Sequence, residues 1–202
     1  MRIIIILIFS LIAGCATYEE HSTDYETLQN HPVCCSSYKE LDFLPLEIGK
    51  FSTISLDETS DVYDFEGQRS YAYGATLPPD FEDQLEVESV LPPNLLFSQA
   101  YLHPVIIFLD SNFEKIRELI PQFKLVQAGF IKDHHLDGVV EIPAGSKHMV
   151  VYAASFDSQG QVLKGGTPVI VGSYVSYVES SNELYSVSVG KVRLKVKSDA
   201  NK

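Results

Sequence analysis

Two neighbouring histidines, His134 and His135, are the most metal-like residues of the chain, because Asp133 and Asp137 flank them. Imidazole and carboxylate groups are common metal ligands. Successive side chains of a strand point to opposite faces, so two adjacent histidines in one regular strand cannot bind the same ion. No other pair of Cys or His residues stands at a standard metal-binding spacing. We therefore predict turn residues followed by a strand, with no metal site and no cofactor.

Cys34 and Cys35 are adjacent, which is the least ordinary local feature of the sequence. An exported chain carries both thiols into an oxidising compartment, where pairing is expected. Successive Cα atoms lie about 3.8 Å apart across a trans peptide, below the usual disulfide range of roughly 4.4–6.8 Å. A vicinal disulfide would therefore strain or isomerise the intervening peptide bond. The sequence leaves two alternatives open: this disulfide ring, or two thiols packed under the first sheet.

Nucleophilic catalysis needs a base beside the nucleophile and a site for the oxyanion, and no G-x-S-x-G motif provides them. Ser146 and His148 are close in sequence, but residues 143–146 (PAGS) are typical of a turn between strands. Residues 165–168 (GGTP) lack the following helix that a phosphate-binding loop needs. Glu86 and Glu88 fall on the polar face of a predicted strand, where solvation explains them. We predict no catalytic residue and no enzymatic activity.

Aromatic residues could stack on sugar rings, and Tyr71, Tyr73 and Tyr101 are the candidates. Tyr71 and Tyr73 share a predicted strand face with Ala75 and Leu77, which places them in the core. The chain has no Trp, the best stacking platform. The sequence therefore identifies no ligand-binding residue.

These residues must be positioned mainly by strands. Short alternating or wholly apolar segments, separated by Gly, Pro, Asn and Asp, predict an all-β fold, an antiparallel β-sandwich that resembles a jelly roll. One short helix is predicted near residues 35–41, where Ser36 or Ser37 could cap it. The strongest strand predictions are Ser70–Leu77, Leu85–Leu91, Val105–Leu109, Leu136–Ile142, His148–Ala154, Val169–Tyr177, Leu184–Val189 and the last strand, from Lys191 to Lys197.

Of these, Val105–Leu109 is apolar on both faces and should be a central, fully buried strand. In the last strand, Val192, Leu194 and Val196 alternate with four basic residues. We expect that basic face to lie in water.

The first residues of the chain are predicted to form a secretory leader. Met1 and Arg2 precede an apolar run, Ile3–Ile12, that is about half the roughly 20 residues that a membrane-spanning helix needs. Residues 11–15 (LIAGC) then have the form of a lipobox, which predicts cleavage between Gly14 and Cys15 and lipid attachment to the Cys15 thiol. Ala16, instead of Asp, at the second mature position resembles the Gram-negative signal for sorting to the outer membrane. The predicted membrane contact is thus a lipid anchor on Cys15.

Charge and length limit the remaining possibilities. The 202 residues carry a net charge of −12, which argues against nucleic acid as a partner and against adsorption to anionic lipid headgroups. Removing residues 1–14 leaves one domain's length of chain. Residues 16–31 are acidic, lack Lys and Arg and hold few aliphatic side chains, which is typical of a flexible tether. We therefore divide the chain into a signal peptide (1–14), a lipidated tether (15–32) and a β-sandwich domain (33–202).

Several segments, taken in order, resemble the maltose operon periplasmic protein (MalM) family. Each is weak alone, and together they cover nearly all of residues 34–197. They are Cys34-Cys35 followed by the apolar segment 41–46 (LDFLPL), residues 65–72 (FEGQRSYA) leading into Leu77-Pro78, residues 103–110 (HPVIIFLD), residues 135–140 (HLDGVV) followed by residues 149–154 (MVVYAA), and the closing strand, residues 192–197 (VRLKVK).

The resemblance implies a non-catalytic accessory lipoprotein of carbohydrate transport, of maltose or maltodextrin type, anchored to the outer membrane and facing the periplasm. Its expected partners are an oligosaccharide or an envelope transport protein. Some family members continue into a long Ala- and Pro-rich tail, which is not present in these 202 residues. The alternative is a structural or interaction lipoprotein in envelope or surface-polysaccharide assembly, without a small-molecule ligand. An aromatic groove would favour the first hypothesis, and a flat apolar patch the second.

Overall fold

A computed structural model describes residues 25–79, 81–91, 100–126, 135–154, 161–171 and 174–198. Within them, fourteen strands form three sheets. The predicted leader, the cleavage site at Gly14 and Cys15, and Ala16 lie outside the described residues. The described residues are mostly strand, which confirms the predicted all-β, sandwich-like fold.

The front sheet has six strands. Their order is β1 (Phe43–Pro45), β4 (Gln68–Thr76), β11 (His148–Ala153), β7 (Pro104–Leu109) and β8 (Lys115–Leu119), and β3 (Asp61–Phe65) also pairs with β4. All neighbours are antiparallel except β1, which runs parallel to β4. The long strand β4 therefore has two short partners along one edge.

The back sheet has five antiparallel strands. Their order is β2 (Ser52–Leu56), β14 (Gly190–Ser198), β5 (Phe81–Val90), β10 (His135–Glu141) and β9 (Lys124–Val126). A small third sheet contains the hairpin of β12 (Gln161–Val171) and β13 (Tyr174–Val187), and β6 (Ala100–Leu102) runs parallel to β13. The hydroxyl of Ser89 on β5 donates to the carbonyl oxygen of Leu102 at 2.6 Å, which joins β6 to the back sheet.

The main core lies between the front and back sheets. The front sheet contributes buried residues such as Tyr71, Ala75, Ile106, Phe108 and Met149, and the back sheet contributes Ile54, Leu85, Val87, Val192 and Leu194. The alternation of these side chains along each strand is the pattern expected of a two-layer sandwich. The predicted core position of Tyr71 and Tyr73 is confirmed, since Tyr71 is buried and Tyr73 packs partly buried against the same cluster.

Six predicted strands are present with ends shifted by at most four residues, namely β4, β5, β7, β10, β11 and β14. The predicted strand Leu184–Val189 overlaps only the end of β13, which begins ten residues earlier, at Tyr174. All six residues of β7 are buried, as predicted from its apolar faces. Residues 165–168 lie inside β12, so they are strand and not a loop. The prediction of one strand over Val169–Tyr177 was wrong, because β12 ends at Val171 and β13 begins at Tyr174. An apolar run on each side of a hairpin gives the same sequence pattern as one continuous strand.

The N-terminal segment differs most from its prediction. Residues 25–30 are helical, and Leu28 is buried in the main core. The side-chain amide of Gln29 also forms two hydrogen bonds with the backbone of Arg69. Its Nε2 donates to the Arg69 carbonyl oxygen at 2.8 Å, and its Oε1 accepts from the Arg69 N–H at 3.0 Å. The last part of the predicted tether is therefore docked to the domain, through contacts that include one buried leucine and one side-chain amide. The predicted short helix is a single 3-10 turn, Tyr38–Glu40.

No helix among the described residues is long and apolar enough to cross a membrane.

Candidate binding groove and the disulfide beside it

A groove opens where two strands separate along the edge of β4. The residue Ala72 of β4 pairs with Asp61 of β3, and Gly74 pairs with Phe43 of β1, so Tyr73 lies opposite the gap between them. The cavity has a volume of about 570 Å³. This volume is within the range of small-molecule sites. It is lined by Asp42, Phe43, Leu44, Thr59, Ser60, Asp61, Ala72, Tyr73 and Gly74.

Gly74 allows β1 to approach β4 closely enough to form this wall. A Cβ atom at residue 74 would lie 2.5 Å from the carbonyl oxygen of Asp42 and 3.0 Å from the ring of Phe43. Any larger side chain would therefore displace the strand. A glycine inside a strand often indicates such a close backbone approach. This was the sequence signal that could have located the groove.

The opposite wall is a turn held by its own side chains. The carboxylate of Asp57 accepts the backbone N–H of Thr59 at 3.0 Å and its hydroxyl hydrogen at 2.6 Å. These hydrogen bonds hold the pKa of Asp57 below its usual range. The Ser60 hydroxyl donates to the carbonyl oxygen of Ser55 at 3.3 Å. The turn thereby holds Thr59, Ser60 and Asp61 at the groove in a fixed arrangement.

The groove combines acidic, hydroxyl and aromatic groups. The carboxylates of Asp42 and Asp61 belong to exposed residues on its two walls, while Tyr73 is half-buried between them. Burial raises the pKa of the Tyr73 hydroxyl. Ionised carboxylates only accept hydrogen bonds, and hydroxyl groups both donate and accept. The lining is therefore suited to a neutral ligand rich in hydroxyl groups or to a cation, and not to an anion.

A disulfide lies next to the groove. Cys34 and Cys35 are joined through their Sγ atoms, with their Cα atoms 3.7 Å apart, so the structure has the ring that the sequence left as one of two alternatives. The peptide bonds of the described residues are all trans, including the one inside the ring. The Cys34 N–H donates to the carbonyl oxygen of Val62 at 2.8 Å. A carboxylate oxygen of Asp61 lies within 4.8 Å of both sulfur atoms.

An aromatic layer covers the outer face of the front sheet behind the disulfide. Tyr38 stacks on Tyr63 with 4.9 Å between ring centroids, and Phe65 stacks on Tyr152 at 3.8 Å. These four residues define the layer, and Cys35 packs against the same apolar cluster. Burial, followed by the charge of neighbouring residues, raises the pKa of Tyr38 to about 12. Burial also raises the pKa of Tyr152, whose hydroxyl donates to the Glu118 carboxylate at 3.3 Å.

The other residues weighed from the sequence do not line the groove where the structure describes them. His135 begins β10 and is 2% exposed, and its Nε2 lies 3.7 Å from the Glu88 carboxylate, while Asp137 is exposed. His134 and Asp133 lie outside the described residues. The Ser146 hydroxyl donates to the carbonyl oxygen of Pro143 at 2.6 Å, within the predicted turn.

His148 is engaged elsewhere. Its Nδ1 lies 3.2 Å from the Thr76 hydroxyl, and its ring stacks on Phe113. Burial lowers its pKa, an effect that the nearby Asp110 partly opposes. Tyr101 is buried at 2% exposure. The burial of Tyr101 keeps its ring from stacking on a sugar.

No family model matches the chain, and no curated protein or solved structure is significantly similar to it.

Proposed function

We propose that this chain is a lipid-anchored protein of the Gram-negative envelope that binds a carbohydrate in the groove beside β4, as a non-catalytic accessory of carbohydrate uptake. The observation that carries the binding proposal is the lining of the groove, which combines two acidic and two hydroxyl-bearing residues with Tyr73 and Phe43. Sugar hydroxyls donate to carboxylates, and the apolar faces of sugar rings pack on aromatic rings. The resemblance to the maltose operon periplasmic protein family supports uptake as the setting.

The affinity should be weak. The groove offers two exposed carboxylates, whose hydrogen bonds compete with water, and no Trp ring. We expect a Kd near the millimolar scale, about −4 kcal/mol. Such binding is useful where the ligand is concentrated, and a lipid anchor beside an outer-membrane pore would raise the effective concentration.

The binding proposal is tested by titrating maltodextrins of increasing length into the full-length protein in detergent, followed by NMR shifts of labelled Tyr and Asp residues. We expect saturable shifts at Tyr73, Asp42 and Asp61. Asp42→Asn and Asp61→Asn should each weaken binding several-fold, while Asp137→Asn, an exposed carboxylate on the back sheet, should not. If no glycan causes shifts in the groove, the alternative of an interaction lipoprotein without a small-molecule ligand replaces this proposal.

The anchor is tested separately. Cys15→Ala should abolish labelling by a fatty-acid analogue and leave uncleaved or soluble protein. A Cys15→Ala protein that loses its leader but still partitions into the detergent phase would contradict the anchor.

Ala16→Asp should move the protein toward the inner membrane on a density gradient. Unchanged fractionation of Ala16→Asp would contradict the outer-membrane location only.

A further inference from the structure

We propose that Cys34, Cys35 and Asp61 form a redox-gated site for a thiophilic divalent cation such as Zn²⁺, closed by the disulfide and opened by its reduction. The three potential ligand atoms, two sulfurs and one carboxylate oxygen, all lie within 4.8 Å of one another. Thiolate and carboxylate are both Zn²⁺ ligands, at about 2.3 Å and 2.0–2.2 Å. One cation at such distances can contact all three atoms after small side-chain rotations.

The arrangement overcomes the usual obstacle to adjacent ligands. Neighbouring residues of a strand point to opposite faces, which prevents them from sharing one ion. Cys34 and Cys35 precede the 3-10 turn and lie outside any strand, and their bonded sulfurs necessarily share one side of the chain. Asp61, the first residue of β3, projects its carboxylate to that same side.

The backbone around the site should keep its position on reduction, because the contacts that hold it do not involve the bond between the sulfurs. The Cys34 N–H remains bonded to the Val62 carbonyl oxygen, one residue beyond Asp61. Cys35 remains half-buried against the apolar cluster that includes the aromatic layer. A disulfide between adjacent residues closes no long loop, so its reduction should cost little stability.

The exposure of the disulfide and of Asp61 also fits a site that is opened by reduction. Cys34 and Asp61 are exposed, so a reductant can reach one sulfur and water can complete the coordination of the cation. A dithiol reductant attacks Cys34 Sγ as a thiolate, and Cys35 leaves and takes a proton. The second thiol of the reductant then releases Cys34, which takes the second proton, and the reductant becomes its own disulfide. Two electrons and two protons are transferred, and Zn²⁺ binding then displaces the two protons.

The test uses the full-length protein in detergent, reduced with a phosphine that does not compete for the metal as a dithiol would. Zn²⁺ affinity is measured by competition with a chromophoric chelator. The Cys34→Ser/Cys35→Ser double variant keeps Cys15 and gives the background. We expect one additional Zn²⁺ per reduced wild-type chain, and at least about tenfold weaker binding after reoxidation. Reduced wild type that binds no more Zn²⁺ than the double variant would overturn the site.

Single carboxylate variants test the third ligand. Asp61→Asn should weaken Zn²⁺ binding by about tenfold or more. Asp42→Asn, on the far wall of the groove, should leave it unchanged. If Asp61→Asn binds as tightly as wild type, or Asp42→Asn weakens binding equally, the proposed ligand set is wrong. Loss of glycan binding in the groove would not affect this result, because the measurement involves the metal alone.

Discussion

The two sheets of the sandwich each have an outer face, and the two faces are covered in opposite ways. On the front sheet, the outer face is covered by the aromatic layer, in which Phe65 and Tyr152 stack on each other, and this cover is apolar. On the back sheet, Glu88 lies opposite Arg193 and Glu86 opposite Lys195, each pair on neighbouring strands. Their charged atoms are 2.8 Å and 2.5 Å apart, and we call these four residues the charge ladder.

The comparison shows that a strand's alternation predicts which residues face outward but not what covers them. Both Glu88 and Arg193 were expected on faces in water. The Glu88 side chain is 6% exposed and that of Arg193 is 24% exposed, so the expectation of solvated faces was wrong for this pair. A buried carboxylate requires a paired charge, and the alternating basic residues of β14 supply it. Lys191, by contrast, is exposed as predicted.

The largest effect should follow from a charge placed in the front sheet. Ile107 is 1% exposed and packs in the cluster under the aromatic layer. Ile107→Asp buries a carboxylate without a partner, which costs at least about 4–5 kcal/mol and should unfold the domain. Limited proteolysis and urea denaturation would measure this. Soluble, protease-resistant Ile107→Asp protein would mean that the front sheet has no apolar outer cover.

A smaller loss is expected from the stacked ring itself. Phe65→Ala removes the ring that stacks on Tyr152 and contacts Tyr63. The expected decrease in the free energy of unfolding is about 3 kcal/mol, from lost burial and a cavity. Phe51→Ala, at an exposed aromatic residue beside the back sheet, is the control and should change stability much less. Equal losses would imply that the aromatic layer packs no better than surface residues.

Sequence patterns identified most of the strands and the core because period-two alternation is local information. They missed six strands that are only three to five residues long and whose pairing depends on residues far along the chain, namely β1, β2, β3, β6, β8 and β9. The groove was missed for the same reason, since its walls meet only when β1 and β3 pair with β4. The disulfide could be identified as an alternative from two adjacent residues. Asp61 could not be linked to it, because it lies 26 positions after Cys35 in the chain.

The charge ladder allows a matched pair of variants. Glu88→Gln removes the charge that faces Arg193 at a nearly buried position, and we expect a loss of about 2 kcal/mol in the free energy of unfolding. Glu86→Gln changes the same residue type two positions earlier, where the side chain is 23% exposed, and should cost less than about 1 kcal/mol. Urea denaturation of both proteins measures these two losses in the free energy of unfolding. A Glu86→Gln loss as large as that of Glu88→Gln would show that burial does not distinguish the two pairs.

Alkaline pH should give the smallest of these effects on stability, through a tyrosine of the aromatic layer. The pKa of Tyr38 is raised from 10.0 to about 12, with burial as the largest cause. The unfolded chain then loses this proton first, so the contribution of Tyr38 to stability is complete below pH 10 and is lost as pH rises toward 12. In Tyr38→Phe, the urea midpoint should therefore fall less steeply between pH 10 and pH 12 than in wild type. The stabilities of wild type and Tyr38→Phe are also compared at neutral pH, to allow for any direct packing loss. Parallel curves for wild type and Tyr38→Phe would contradict a buried hydroxyl in the layer, and would leave the two outer faces indistinguishable in their response to base.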